Sequence, residues 1–167
     1  LASNLSTTGL RSITGCVIRD SKDHGIYIER SSWSLIANNH ITRCNNGIYV
    51  NGGYYGGPTI RNNLIRNNVG YGIQLGYGYS ATVSFNTVDV NGIGIYLNTG
   101  SGYRTSVSSN IVTSCNTAIS RKSGDSSLSY NALWDNGVNY DGLTPGATDV
   151  AVDPCYVDPL VADIRLQ

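Results

Sequence analysis

The chain has 167 residues, with 11 acidic and 11 basic side chains and a charged fraction of only 13%. That length suits one domain with one core. Zero net charge without a basic stripe argues against nucleic acid as a partner, and no apolar run approaches the roughly 18 residues that span a bilayer.

Residues 1–10 (LASNLSTTGL) are a polar lead-in that predicts a partial coil before the first full one, with no amphipathic helix to plug that end. From Arg11 the chain repeats itself. Residues 11–33 read RSITGCVIRDSKDHGIYIERSSW, residues 34–57 read SLIANNHITRCNNGIYVNGGYYGG, and residues 58–80 read PTIRNNLIRNNVGYGIQLGYGYS. Further copies follow at 81–104 and 105–126, and a degraded one at 127–142. One marker holds step as Cys16, Asn39, Asn63, Asn86, Asn110 and Asn131, at intervals of 23, 24, 23, 24 and 21 residues. A second reads Gly25-Ile26, Gly47-Ile48, Gly72-Ile73, Gly94-Ile95 and Ala118-Ile119. A fixed period of this length indicates a solenoid.

The apolar pieces are short and alternate, as in Ile26-Tyr27-Ile28 and Ile48-Tyr49-Val50, which is the period of a strand with Ile and Val inward and Tyr outward. Gly and Asn interrupt before a helix could complete its costly first turns. The Leu-rich frame of a leucine-rich horseshoe is missing. Three short strands and three turns fill a coil of this length. The reading is therefore all-β: a right-handed parallel β-helix of about six coils stacked at roughly 4.8 Å. It occupies residues 1–142 of a single domain, with a tail over 143–167 packing on the last coil. Asn39, Asn63, Asn86, Asn110 and Asn131 are assigned to a structural ladder, since Asn suits left-handed corners and stacked amides bond along the axis.

These repeats resemble those of the pectin-lyase-like superfamily, which holds polysaccharide lyases, glycoside hydrolases, uronate epimerases and NosD-like periplasmic proteins. The ending Asp153-Pro154-Cys155-Tyr156-Val157-Asp158-Pro159, then Asp163-Ile164-Arg165-Leu166-Gln167, is similar to the close of many secreted bacterial β-helix proteins. There a Pro-Gly-Ser-Pro stretch usually follows, which would make this chain a fragment or a processed subunit. With Leu1 at the start and no Met, the resemblance implies an extracellular, cell-surface or periplasmic protein whose leader is gone. It identifies a fold, not a chemistry.

The first coil holds the densest charge: Arg19, Asp20, Lys22, Asp23, His24, Glu29 and Arg30. Lyases of the superfamily use a basic proton acceptor and Ca²⁺-binding carboxylates, so Lys22, Asp23 and His24 are the grouping that resembles a catalytic set. A solvated turn explains them as well. The paired-Asp, Gly-His-Gly and Arg-Ile-Lys signatures of polygalacturonases, and the Asp-Pro-His motif of mannuronan epimerases, are missing. Asp135, Asn136, Asn139 and Asp141 are oxygen donors near one corner and the grouping considered for Ca²⁺, which needs six or more converging oxygens. No cofactor or metal is assigned.

Tyr supplies 12 of the 15 aromatic residues. One set takes the outward middle of the third strand: Tyr27, Tyr49, Gln74, Tyr96 and Ser120. A second lies in glycine-rich loops before each new coil: Trp33, Tyr55, Tyr79 and Tyr103, with Tyr54 and Tyr77 beside them. Such rings suit stacking on sugars, a protein interface, or a plain aromatic ladder on the sheet. Cys44 and Cys115 share a turn position three coils apart, too far for a disulfide; Cys16 and Cys155 lie near opposite ends. Three functions follow. The first is a non-catalytic extracellular module that binds polysaccharide through an aromatic and amide-rich face. The second is a filament or surface-assembly subunit stacking on copies of itself, and the third a uronate lyase or epimerase.

Overall fold

The computed structural model describes residues 4–6, 12–30, 33–52, 56–158 and 163–166. Each coil contributes three short strands. The first strands, Ser12–Thr14, Leu35–Ala37, Thr59–Arg61, Thr82–Ser84, Arg104–Ser108 and Asp125–Ser129, form one six-stranded sheet in which every pairing is parallel. The second and third strands merge into an 11-stranded sheet, because Leu64–Leu75 and Thr87–Asn98 run through the corner between them. Six first strands make five full turns from the first layer to the last, as the five repeat steps require.

The core is made of columns. Ile13, Ile36, Ile60, Val83, Val107 and Leu128 stack in register along the first sheet. Ile18, Ile41, Ile65, Val88, Val112 and Leu133 do so on the second strands, and Ile26, Ile48, Ile73, Ile95 and Ile119 on the third. From Ile26 to Ile119 this last column is at most 1% exposed. The glycine before each of the first four isoleucines is required by close approach. A Cβ on Gly47 would lie 2.5 Å from the Gly72 carbonyl oxygen, and one on Gly72 2.7 Å from that of Gly94.

The asparagine ladder is present. Each amide donates to the next coil's Oδ1: Asn39 to Asn63, Asn63 to Asn86, Asn86 to Asn110 and Asn110 to Asn131, all at 3.0 Å. The same oxygens accept a backbone N–H from the coil before. Left-handed backbone falls one residue earlier than expected. Gly15, Asn38, Asn62, Phe85, Ser109 and Tyr130 carry positive φ, whereas the ladder residues that follow them do not. The corner between second and third strands repeats the device. Asp20, Arg43, Asn67, Val90, Ser114 and Asp135 have positive φ, each before a residue that turns inward. There Asn68 donates to Asn91 at 2.9 Å, and Cys44 and Cys115 cap this shorter ladder through their backbone N–H groups, bonded to Asn68 and Asn136.

The C-terminal end is closed. Asp149 Oδ1 accepts both the backbone N–H and the side-chain amide of Asn131, at 2.8 and 3.0 Å, so the ladder of donors ends on an acceptor-only group. Its other oxygen accepts from Tyr140 Oη and Gly146 N. Around residues 149–152 the tail makes a single parallel bridge, Val150 on Ala132. End-to-end stacking at this end would have to displace the segment. The chain then turns back along the outer face of the second strands, where Tyr156 Oη lies 3.3 Å from Thr113 Oγ1, and Tyr156–Asp158 pairs antiparallel with Asp163–Leu166. At the other end, Asn4–Ser6 adds a parallel strand beside His24–Glu29. All four cysteines are free, Cys16 and Cys155 exposed and Cys44 and Cys115 buried.

Candidate functional site

Alternation on the third strands sends Ile26 and Ile28 inward and Tyr27 and Glu29 outward. Parallel register repeats this one coil on, placing Tyr27 beside Tyr49, Tyr49 beside Gln74, and Gln74 beside Tyr96. Tyr27 and Tyr49 have centroids 5.3 Å apart, and His24 packs on both at 5.3 and 5.1 Å. Tyr71, three residues before Gln74 on the same strand, meets Tyr96 at 5.0 Å. These rings are half-buried because they share faces with one another. Burial raises the Tyr49 hydroxyl above its ordinary range, with Tyr27 and Glu29 adding to it, and burial beside Tyr71 does the same to Tyr96. Tyr49 and Tyr96 therefore present neutral hydroxyls, able to donate and accept.

Along its edge runs a groove of about 270 Å³ lined by Glu29, Arg30, Asn51, Gly52, Tyr77, Gly78 and Tyr103. Glu29 and Asn51 are register partners. Gly76 N bonds the Val50 carbonyl, and Gly78 N that of Thr99, which sets the next two layers. Tyr77 is 63% exposed, with one ring face against Gly100, where an added Cβ would lie 2.1 Å from the ring. Tyr103 meets it edge-on, centroids 6.4 Å apart. Trp33 is placed likewise: it is 65% exposed and its indole rests on Gly56. Backbone glycine on one side leaves the opposite ring face open.

Of the expected loop aromatics, Trp33 and Tyr103 thus lie at the surface, and Tyr55 lies outside the described residues. Tyr79 is corrected. It is 1% exposed and belongs to the core, its hydroxyl donating to the Val50 carbonyl and accepting from Gly76 N. With both hydroxyl partners supplied internally, a buried tyrosine is satisfied, and this ring is closed to any ligand. Tyr77, two residues earlier, takes the outward place. Glu29 and Arg30 were read from the sequence only as part of the first coil's charge, and Asn51 and Tyr71 were not singled out. The signal was present for Glu29 and Asn51, which follow Tyr27 and Tyr49 by two and so share their face.

His24 belongs to the aromatic face: its Nε2 lies 3.1 Å from Asp23 Oδ1 and its Nδ1 3.1 Å from Asn46 Nδ2. Asp23 and Lys22 are exposed on the preceding turn. The oxygens considered for Ca²⁺ do not converge. Asn136 Oδ1 accepts from Cys115 N, Asn139 Oδ1 from Asn136 Nδ2, Asp141 from Ser120 Oγ and Asp135 from Ser114 Oγ. Among the described residues no group of three His, Cys, Asp or Glu side chains is placed to hold a metal.

A second polar cluster lies under the tail. Arg66 Nη2 meets Asp89 Oδ2 at 3.1 Å, both side chains buried, and Thr113 Oγ1 donates to Asp89 Oδ1 at 2.8 Å. Burial pushes the Asp89 carboxyl up, against the downward pull of Thr113 and Arg66. Asp89, Thr113, Trp134, Asp135 and Tyr156 help to line a cleft of about 380 Å³ between sheet and tail.

The fold and this face define a parallel β-solenoid that displays polar and aromatic side chains on the outside of its stacked strands. Residues 4–150 match the family described as right handed beta helix region, and the chain belongs to that family. No curated protein and no solved structure matches it. Among the described residues no helix is long and apolar enough to cross a membrane.

Proposed function

We propose that this chain is a non-catalytic carbohydrate-binding module, extracellular or at the cell surface, whose ligand is a polysaccharide. The observation that carries this reading is the groove beside the third-strand face. It joins an open aromatic platform, Tyr77, to an amide, a carboxylate and a guanidinium from Asn51, Glu29 and Arg30. Sugar rings offer apolar C–H faces to aromatics and hydroxyls to such groups, and a site built to pair each hydroxyl discriminates well. The Tyr27–Tyr49–Gln74–Tyr96 column extends the surface alongside. The lyase or epimerase reading lacks a matching observation, because a proton acceptor needs geometric reach within a cleft, and Lys22 stands exposed on a turn.

Depletion of the protein by a panel of insoluble polysaccharides tests the reading. Tyr77→Ala and Trp33→Ala are expected to lower the bound fraction while leaving the thermal melt in place. Binding that both variants retain in full would remove it.

A further inference from the structure

We infer that Asn51 is a modification site: in the folded chain its side-chain amide is lost as ammonia, through ring closure on the Gly52 nitrogen, and a carboxylate takes its place in the groove. The modification follows from local chemistry alone; its effect on binding rests on the carbohydrate reading above.

Asn-Gly occurs four times, as Asn46-Gly47, Asn51-Gly52, Asn91-Gly92 and Asn136-Gly137. It is the step at which an asparagine side chain cyclises most readily, because glycine has no Cβ to obstruct the approach of its nitrogen to Cγ. Three of the four are locked. Asn46 Oδ1 accepts from Tyr71 N, and its Nδ2 lies 3.1 Å from His24 Nδ1. Asn91 Oδ1 accepts from the backbone and the side chain of Asn68, and its Nδ2 donates to the carbonyls of Ile65 and Asp89. Both steps lie inside strands, Asn46–Asn51 and Thr87–Asn98, where paired neighbours prevent the backbone rotation that ring closure needs. Asn136 Oδ1 accepts from Cys115 N, its Nδ2 donates to the Val112 carbonyl, and Gly137 N donates to the Cys115 carbonyl at 2.9 Å.

Asn51 differs at each point. It is the last residue of its strand, Gly52 beyond it has φ of 72°, and both line the open groove. Among the described residues neither the Asn51 amide nor the Gly52 N–H makes a hydrogen bond. The attacking nitrogen and the group it attacks are both free to turn, and solvent reaches them.

The Gly52 nitrogen attacks Asn51 Cγ and gives up its proton. The new C–N bond closes a succinimide as the bond to the side-chain nitrogen breaks and ammonia departs. Water then opens the ring at either carbonyl, leaving aspartate or isoaspartate; nothing is oxidised or reduced. The product stands beside Glu29, its register partner, and like charges directly opposite on paired strands repel. An amide that donates and accepts becomes a group that only accepts. The groove, with one charge of each sign from Glu29 and Arg30, turns net negative.

Peptide mapping by mass spectrometry of the intact chain, aged at mildly alkaline pH with and without urea, tests the site. In the folded chain Asn51 is expected to convert more than about tenfold faster than the other three, whose reaction waits on local opening. In urea all four should convert at similar rates. Folded-state conversion at Asn46, Asn91 or Asn136 that keeps pace with Asn51, or an Asn51 that converts only in urea, would overturn the site. Asn51→Asp, the direct product, is expected to bind insoluble polysaccharide about fivefold less tightly than the unmodified chain. Equal binding would overturn the effect on the groove while the mapped modification stands. A chain that holds no polysaccharide before or after ageing would remove the carbohydrate reading, and the effect on binding with it, and leave the peptide map to decide the modification.

Discussion

Tyr77 and Tyr79 stand two residues apart in one glycine-rich loop, yet one ring faces solvent and the other is buried in the core. Single residues in this protein are decided by whether a backbone partner lies within reach. Val90 illustrates the opposite situation, a side chain whose position works against it. It is β-branched, has φ of 51° and is 42% exposed, while Asn67 holds the same corner one coil earlier. Left-handed backbone costs a branched residue about 1–2 kcal/mol and Asn much less. Val90→Asn is expected to stabilise the chain by about 1 kcal/mol, read as a higher urea midpoint with an unchanged slope; a lower midpoint would show that strain at Val90 is relieved elsewhere. Tyr156 supplies a pH dependence. Burial above all pushes its hydroxyl from 10.0 to about 12, with Asp89 and Cys115 adding and Thr113 and Arg66 opposing. A hydroxyl harder to ionise when folded stabilises fully below pH 10 and loses that contribution as pH rises through about 12. Melting temperature should fall across that window and fall less steeply in Tyr156→Phe. Parallel curves for the two proteins would rule out Tyr156 as the source.

At the scale of the element, the ladder explains why the coils stay in register. Asn86 accepts from Asn63 and donates to Asn110, Ile60 O and Ser84 O, so all its polar atoms are used in a buried place. Such a row needs a terminus that only accepts, and Asp149 is that terminus for Asn131, Tyr140 and Gly146. Asp149→Ala would strand these donors at the last coil. The expected loss is about 3 kcal/mol, measured by urea denaturation. Hydrogen exchange should quicken first around residues 131–150. Uniform quickening over all coils would mean that the closure is not a separate local element. Arg66 and Asp89 are held differently, as a buried ion pair whose desolvation offsets much of its attraction.

The whole molecule is quasi-one-dimensional: each coil touches only the coils above and below it. A coil should therefore be removable at a register-matched seam. Thr59 occupies one layer later the place of Leu35, so deleting residues 35–58 joins Ser34 to Thr59 and keeps every remaining column in step, the Arg66–Asp89 pair included. The shortened chain is expected to fold, with a parallel-β circular dichroism spectrum and a urea m-value lower by about a sixth. A chain that stays unfolded would contradict independent stacking. The same architecture bears on assembly. With the last coil closed by Val150 and Asp149, continuation of coils from copy to copy would need that segment to move, which is why the lateral face carries the functional proposal and the ends do not.

The sequence alone determined the period, the parallel stacking, the inward aliphatic columns, the asparagine ladder and the outward Tyr27, Tyr49 and Tyr96. All of these follow from side-chain alternation and a constant repeat, which local chemistry writes directly into the chain. It also marked Trp33 and Tyr103 as surface rings. Only the tertiary structure decided that Tyr79 turns in and Tyr77 out, that the residue before each ladder Asn takes the left-handed turn, and that Asp149 ends the ladder. The same holds for Arg66, which meets Asp89 beneath Tyr156, and for Glu29, Arg30 and Asn51, which join Tyr77 in one groove. The reason is physical: loops of unequal length and a tail without a repeat have no register of their own, so their side chains settle where the stacked coils leave a carbonyl, a glycine or a gap to receive them.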